Sequence, residues 1–78
     1  MNKYEFDRWY YYDKSKYIRY NLTRHYIDDY TRIIYVIVGL YGNDGYSNTF
    51  VYEDLETAYT VMDRFLDRSD LNEDSWFH

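Results

Sequence analysis

Cysteine and proline are absent from this chain, and alanine occurs once. Without thiols neither a disulfide nor a thiolate metal site can reinforce the fold, so apolar burial or a partner subunit has to hold it. Long apolar runs are missing too. The longest, Ile33 to Tyr41, has nine residues, against roughly 20 for a membrane-spanning helix. Met1 to Phe6 show no apolar signal core, so a cytoplasmic location is expected and the sequon at Asn21-Leu22-Thr23 reads as chance. There is no phosphate loop, and Ser15, Ser47, Ser69 and Ser75 sit in no nucleophile-elbow context. His25, Asp28 and Asp29 have ligand-like spacing, but a solvated acidic turn explains them more simply. The expectation is a non-enzymatic protein without catalytic residues, cofactor or metal.

What the chain has is rings. Thirteen tyrosines, four phenylalanines and two tryptophans supply 24% of its 78 residues. A core this small cannot bury them all while giving each phenol a hydrogen-bond partner, so several are expected at the surface. Exposed tyrosine offers large contact area at low entropic cost.

Charge divides unevenly. Residues 1–32 carry seven basic and five acidic groups, +2; residues 33–78 carry two basic and nine acidic, −7; together they give the net −5. Such asymmetry points to an electrostatic partner.

The chain reads as one domain, 1–78, with an acidic tail at 69–78. Arg8–Tyr12 is aromatic enough for a strand, with a bulge near Asp7 or a start after it. Asp13-Lys14-Ser15 makes a turn. Lys16–Thr23 alternates, with Ile18, Tyr20 and Leu22 toward a core and Tyr17, Arg19, Asn21 and Thr23 away from it. His25–Thr31 is expected to be a connection. Arg32–Tyr41 is apolar on both faces and should be central, followed by the hairpin loop Gly42-Asn43-Asp44-Gly45 and a strand from Ser47 to Tyr52. Within the central strand, Gly39 suggests a bulge or a close approach of the helix. Asp54 to about Arg68 predicts a helix with the apolar stripe Leu55, Ala58, Tyr59, Met62, Phe65 and Leu66. The order β-β-β-β-α defines an α+β fold, an antiparallel sheet of about four strands with one C-terminal helix on one face.

Two surfaces emerge as candidates for partner binding. Glu53, Glu56, Asp63 and Asp67 fall close to one stripe expected to face solvent, continued by Asp70, Glu73 and Asp74. Asp63 and Asp67 would stand about 6 Å apart along the helix axis, near the spacing of strand phosphates. Such a carboxylate row suits a basic groove on a larger protein. The second surface interleaves Arg8, Trp9, Tyr10, Tyr11, Tyr12, Lys14, Lys16, Tyr17, Arg19 and Tyr20. It fits a tyrosine-rich protein interface or a platform for single-stranded nucleic acid, with Tyr17 and Arg19 central. Tyr35 stands on the half-tyrosine face of the central strand. Trp76-Phe77, behind acids, reads either as a docking motif or as a late addition to the core.

A short cysteine-free chain with Trp9-Tyr10-Tyr11-Tyr12 near its start and the acidic run Glu53–Asp74 resembles the small inhibitors that phages and mobile elements encode against bacterial defence, of the anti-CRISPR and anti-restriction type. The resemblance is compositional. It implies a phage protein acting in the host cytoplasm that occludes a nucleic-acid site on a larger protein, in some cases as a DNA mimic. The alternatives are a single-stranded nucleic-acid-binding module and a structural homodimer joined through the Tyr35–Tyr41 face or an edge strand.

Overall fold

A computed structural model describes residues 3–67 and places four strands and a helix in the expected order. The strands are β1 (Trp9–Asp13), β2 (Ile18–Ile27), β3 (Arg32–Tyr41) and β4 (Tyr46–Tyr52); the helix is α1 (Leu55–Phe65). The sheet is antiparallel throughout, in spatial order β1-β2-β3-β4. No described helix is long and apolar enough to cross a membrane.

Alternation decides which side the helix covers. Tyr20 and Leu22 on β2, Ile37 on β3 and Tyr4 ahead of β1 are buried with Ala58, Tyr59, Met62 and Leu66 of the helix segment. Phe6, Tyr10, Ile18, Tyr35, Tyr41, Phe50 and Tyr52 pack around that nucleus. Full burial of a large apolar side chain contributes about 1.5–3 kcal/mol, and Leu22, Ile37 and Met62 are each fully enclosed. The helix therefore sits on the face of β3 that carries Tyr35, Ile37, Gly39 and Tyr41. The aliphatic row Ile34, Val36, Val38 and Leu40 is left on the opposite, uncovered side.

Gly39 explains that choice. A Cβ there would lie 2.7 Å from the Tyr41 hydroxyl and 2.8 Å from Cε1 of Tyr20. The missing side chain admits the Tyr20 ring, which stacks on Phe65 of the helix at 4.8 Å. The close approach is thus by rings, and the ladders on both sides of Gly39 run without a bulge.

The largest departure from the expected boundaries is in β2. β2 continues through His25, Tyr26 and Ile27, and the connection shrinks to a turn over Asp28, Asp29 and Tyr30 in left-handed backbone conformations. This end of the β2–β3 ribbon extends beyond the helix, so its residues are exposed on both faces and lose the apolar alternation that marks a half-buried strand. β1 begins after Asp7, which adopts φ 63°, and its register against β2 breaks at Tyr12.

The helix opens on Asp54, whose carboxylate accepts bonds from the Thr57 amide at 3.0 Å and the Thr57 hydroxyl at 2.9 Å. It closes with Leu66 and with Asp67 at φ 58°, the left-handed stop common at helix ends.

Candidate binding surface

The acidic stripe does not form as expected. Asp63 points inward: it is only 6% exposed, accepts a 2.6 Å bond from the Tyr4 hydroxyl and pairs with Lys3. Its position accounts for this, because it lies four residues after buried Tyr59 and three before buried Leu66, on the shoulder of the apolar stripe. Glu53 is exposed but paired with Arg32, which also meets Asp28 at 3.6 Å. Only Glu56 and Asp67 of the four remain exposed outside a described ion pair. Asp70, Glu73, Asp74 and Trp76 lie outside the described residues.

Tyr35 is also reassigned. It is half-buried on the helix-covered face, its ring stacked on Phe6 at 6.2 Å. The helix and the Phe6 segment pack on the Tyr35–Tyr41 side, which leaves that face much less open to a second copy than expected.

The aromatic surface does form, and it is concentrated on the β1–β2 hairpin. Trp9 is 41% exposed, Tyr12 53% and Tyr17 46%, with Tyr11 close behind. The antiparallel register sets Trp9 and Tyr11 beside Arg19: Tyr11 is its direct cross-strand partner, and Trp9 pairs with Asn21 next along, while Tyr12 falls at the break in the ladder. The guanidinium of Arg19 lies 5.4 Å from the Trp9 ring and 5.7 Å from the Tyr17 ring. It also donates to the Tyr17 carbonyl at 2.9 Å, so the cation is held in place between the two rings. Tyr17 itself sits at φ 56°, a left-handed turn position that swings its ring out of the ladder. Lys14 approaches the Tyr11 ring at 6.0 Å. Asp13 serves the turn, accepting bonds from the Ser15 hydroxyl at 2.7 Å and the Lys16 amide at 3.2 Å. Those bonds hold its carboxyl below the usual range.

Among the described residues, Lys14, Lys16 and Arg19 have no carboxylate within ion-pair distance. From Arg19 the uncovered face continues through Asn21 and Thr23 on β2, the aliphatic row of β3, and Ser47, Thr49 and Val51 on β4. Its carboxylate, Glu53, stands at the far end and is tied to Arg32. The surface thus combines rings that stack, cations free to meet negative charge, and an aliphatic floor. Sequence reasoning found Trp9, Tyr11, Tyr12, Tyr17 and Arg19. It left open that Ile34, Val36, Val38 and Leu40 belong to the same uncovered face, because alternation alone does not say which side a helix takes.

A second ring cluster sits at the other end of the ribbon. Tyr26 and Tyr30 lie 5.7 Å apart, and the Arg24 guanidinium is 5.1 Å from the Phe6 ring and 5.5 Å from that of Tyr26. Phe6, Asp7, Thr23, Arg24, His25 and Tyr26 line a shallow, open depression. The His25 ring nitrogen lies 2.8 Å from the Thr23 hydroxyl, and Asp28 turns to Arg32. Among the described residues no three His, Asp or Glu side chains gather as metal ligands.

Compared with protein-family models, curated proteins and solved structures, the chain matches none.

Proposed function

We propose that this protein is a non-enzymatic binding module of the inhibitor or adaptor kind, which docks the aromatic face of its β1–β2 hairpin onto a larger protein in the cytoplasm. The observation that carries the proposal is the group Trp9, Tyr11 and Tyr17, exposed together around a fixed Arg19, with exposed Tyr12 on the same hairpin. Rings and arginine at the centre of a patch are the residues that dominate protein interfaces. A net charge of −5 opposes long-range capture of a polyanion and so favours a protein partner. Glu56 and Asp67, with Asp70, Glu73 and Asp74 in the tail, form a secondary acidic contribution suited to the basic, nucleic-acid-binding site of a larger protein. An anti-CRISPR or anti-restriction role remains within this proposal, with the rings rather than a carboxylate row as the main contact.

The test is a pulldown from host lysate with and without nuclease, repeated with Trp9→Ala and Arg19→Ala, and with the pair Glu56→Lys and Asp67→Lys. Capture that survives nuclease and is lost in the hairpin variants supports the proposal. Loss only in the acidic pair would return the interface to the helix.

A second reading rests on a different observation: Lys14 and Arg19 stand beside stackable rings outside any described ion pair. That arrangement suits single-stranded nucleic acid, each stacked base contributing about 1–3 kcal/mol. It requires that a labelled oligonucleotide bind, that salt weaken the binding, and that Tyr17→Ala or Arg19→Ala abolish it. No change in anisotropy at low salt would eliminate this reading.

A further inference from the structure

The two edges of the sheet are finished differently. β1 is five residues long, loses register at Tyr12 and is flanked by Arg8, Lys14 and Lys16. Short length, irregularity and charge are the usual guards of an exposed edge. β4 is longer and within its span carries none of them, its flanking charges Asp44, Glu53 and Asp54 standing outside the paired residues. Its seven residues, Tyr46-Ser47-Asn48-Thr49-Phe50-Val51-Tyr52, hold neither charge, proline nor glycine, and all seven pair with β3 without a shift. Among the described residues, no backbone hydrogen bond outside the β3–β4 ladder involves this strand. Its outward N–H and C=O groups form a straight, uncharged template.

We propose that β4 pairs antiparallel with β4 of a second copy of this chain, about a two-fold axis normal to the sheet through Thr49. The strand's own sequence selects that occupant. Centred on Thr49, the pairing sets Thr49 against Thr49, Asn48 against Phe50, Ser47 against Val51 and Tyr46 against Tyr52 of the second copy. All seven positions are matched, no charged residue falls within the paired span, and Thr–Thr and Tyr–Tyr pairs are favourable cross-strand neighbours. Parity is preserved as well. Tyr46, Asn48, Phe50 and Tyr52 share the helix side, while Ser47, Thr49 and Val51 share the uncovered side. Both helices then lie on one face of an eight-stranded sheet, and the contact is isologous and closed. A chain of 78 residues without cysteine gains most from such reinforcement. With neighbouring strands about 4.8 Å apart, the two β1 edges stand about 34 Å apart, which makes the dimer bivalent for whatever the hairpins hold.

The experiment is light scattering on the full chain over a dilution series, with Thr49→Lys and Thr49→Glu alone and mixed. The wild type should pass from 9.8 kDa toward twice that mass as concentration rises. Each variant alone sets like charges together at the axis and should weaken association about tenfold, equivalent to about 1.4 kcal/mol. An equimolar mixture should restore the dimer. Circular dichroism should stay unchanged, because Thr49 is exposed. A mass fixed at 9.8 kDa at every concentration, a dimer that persists in Thr49→Lys alone, or a mixture that stays monomeric would each overturn the proposal. None of these readouts needs the hairpin's partner, so the result stands apart from the proposed function.

Discussion

The Tyr4 hydroxyl donates to Asp63 Oδ1 at 2.6 Å, joining residues 59 apart in sequence. This bond fastens the segment ahead of β1 to the back of the helix and closes the core over the Tyr4 ring, which also meets Tyr10 edge-on at 5.1 Å. Asp63→Ala removes a charged acceptor and strands a buried hydroxyl, at a cost of about 2–3 kcal/mol. Lys3 is partly exposed and rehydrates, so it adds little. Denaturant titration should show the loss for Asp63→Ala and a smaller change, under about 1 kcal/mol, for exposed Glu56→Ala. Equal effects at the two positions would contradict the burial of Asp63.

Gly39 should tolerate no side chain. Gly39→Ala pushes a methyl into Tyr20 and the Tyr41 hydroxyl, and overpacking of this kind costs about 1–3 kcal/mol. Tyr41→Phe removes the nearest atom and should recover part of that loss in the double variant. Additive changes in thermal midpoint would refute the contact.

Alkaline pH should destabilise the protein through its buried tyrosines. Burial, followed by the hydrogen bond with Tyr41, pushes the Tyr20 phenol well above its ordinary value near 10. Burial, then the charge of Glu56, also raises Tyr59. The folded state therefore keeps protons that the unfolded state gives up as pH passes about 10. Stability from these two groups is fully present below that pH and falls above it. Denaturation midpoints measured from pH 8 to 11 should be level and then decline, with a shallower decline in Tyr59→Phe.

The helix ends should respond in opposite directions. Asp54→Ala removes both bonds to Thr57 and costs about 1 kcal/mol. Asp67→Gly relieves a left-handed residue at φ 58° and should gain up to about 1 kcal/mol. Helicity at 222 nm and the thermal midpoint should move together, down in the first and up in the second.

The order of elements was legible because each has a strong local signal. β3 was expected as Arg32–Tyr41 and is found so, its apolar run having no helical period. The stripe from Leu55 to Leu66 marked every buried helix residue except Asp63, and left out half-buried Val61 at the edge of the core. Asp63 was missed because charge was weighed by residue type, while its flanking by Tyr59 and Leu66 was the better indicator. Its partners Lys3 and Tyr4 lie at the other end of the chain, where no local pattern connects them. The hairpin surface was legible as composition, but its geometry was not. The fixing of Arg19 between Trp9 and Tyr17 depends on the register of β1 against β2 and on the left-handed turn at Tyr17. Which face of β3 stays uncovered was decided by Gly39, a packing outcome that alternation alone leaves symmetric.

The ten-residue β2–β3 ladder runs past the helix, so its two ends differ in how often their amides meet solvent. Around Leu22 and Ile37 exchange with deuterium should need opening of the whole molecule. From His25 to Ile34 the ribbon opens by itself, and its protons should be replaced first. That gradient along a single pair of strands makes the Tyr26–Tyr30 tip the natural entry point for a protease, and the end from which the sheet unzips.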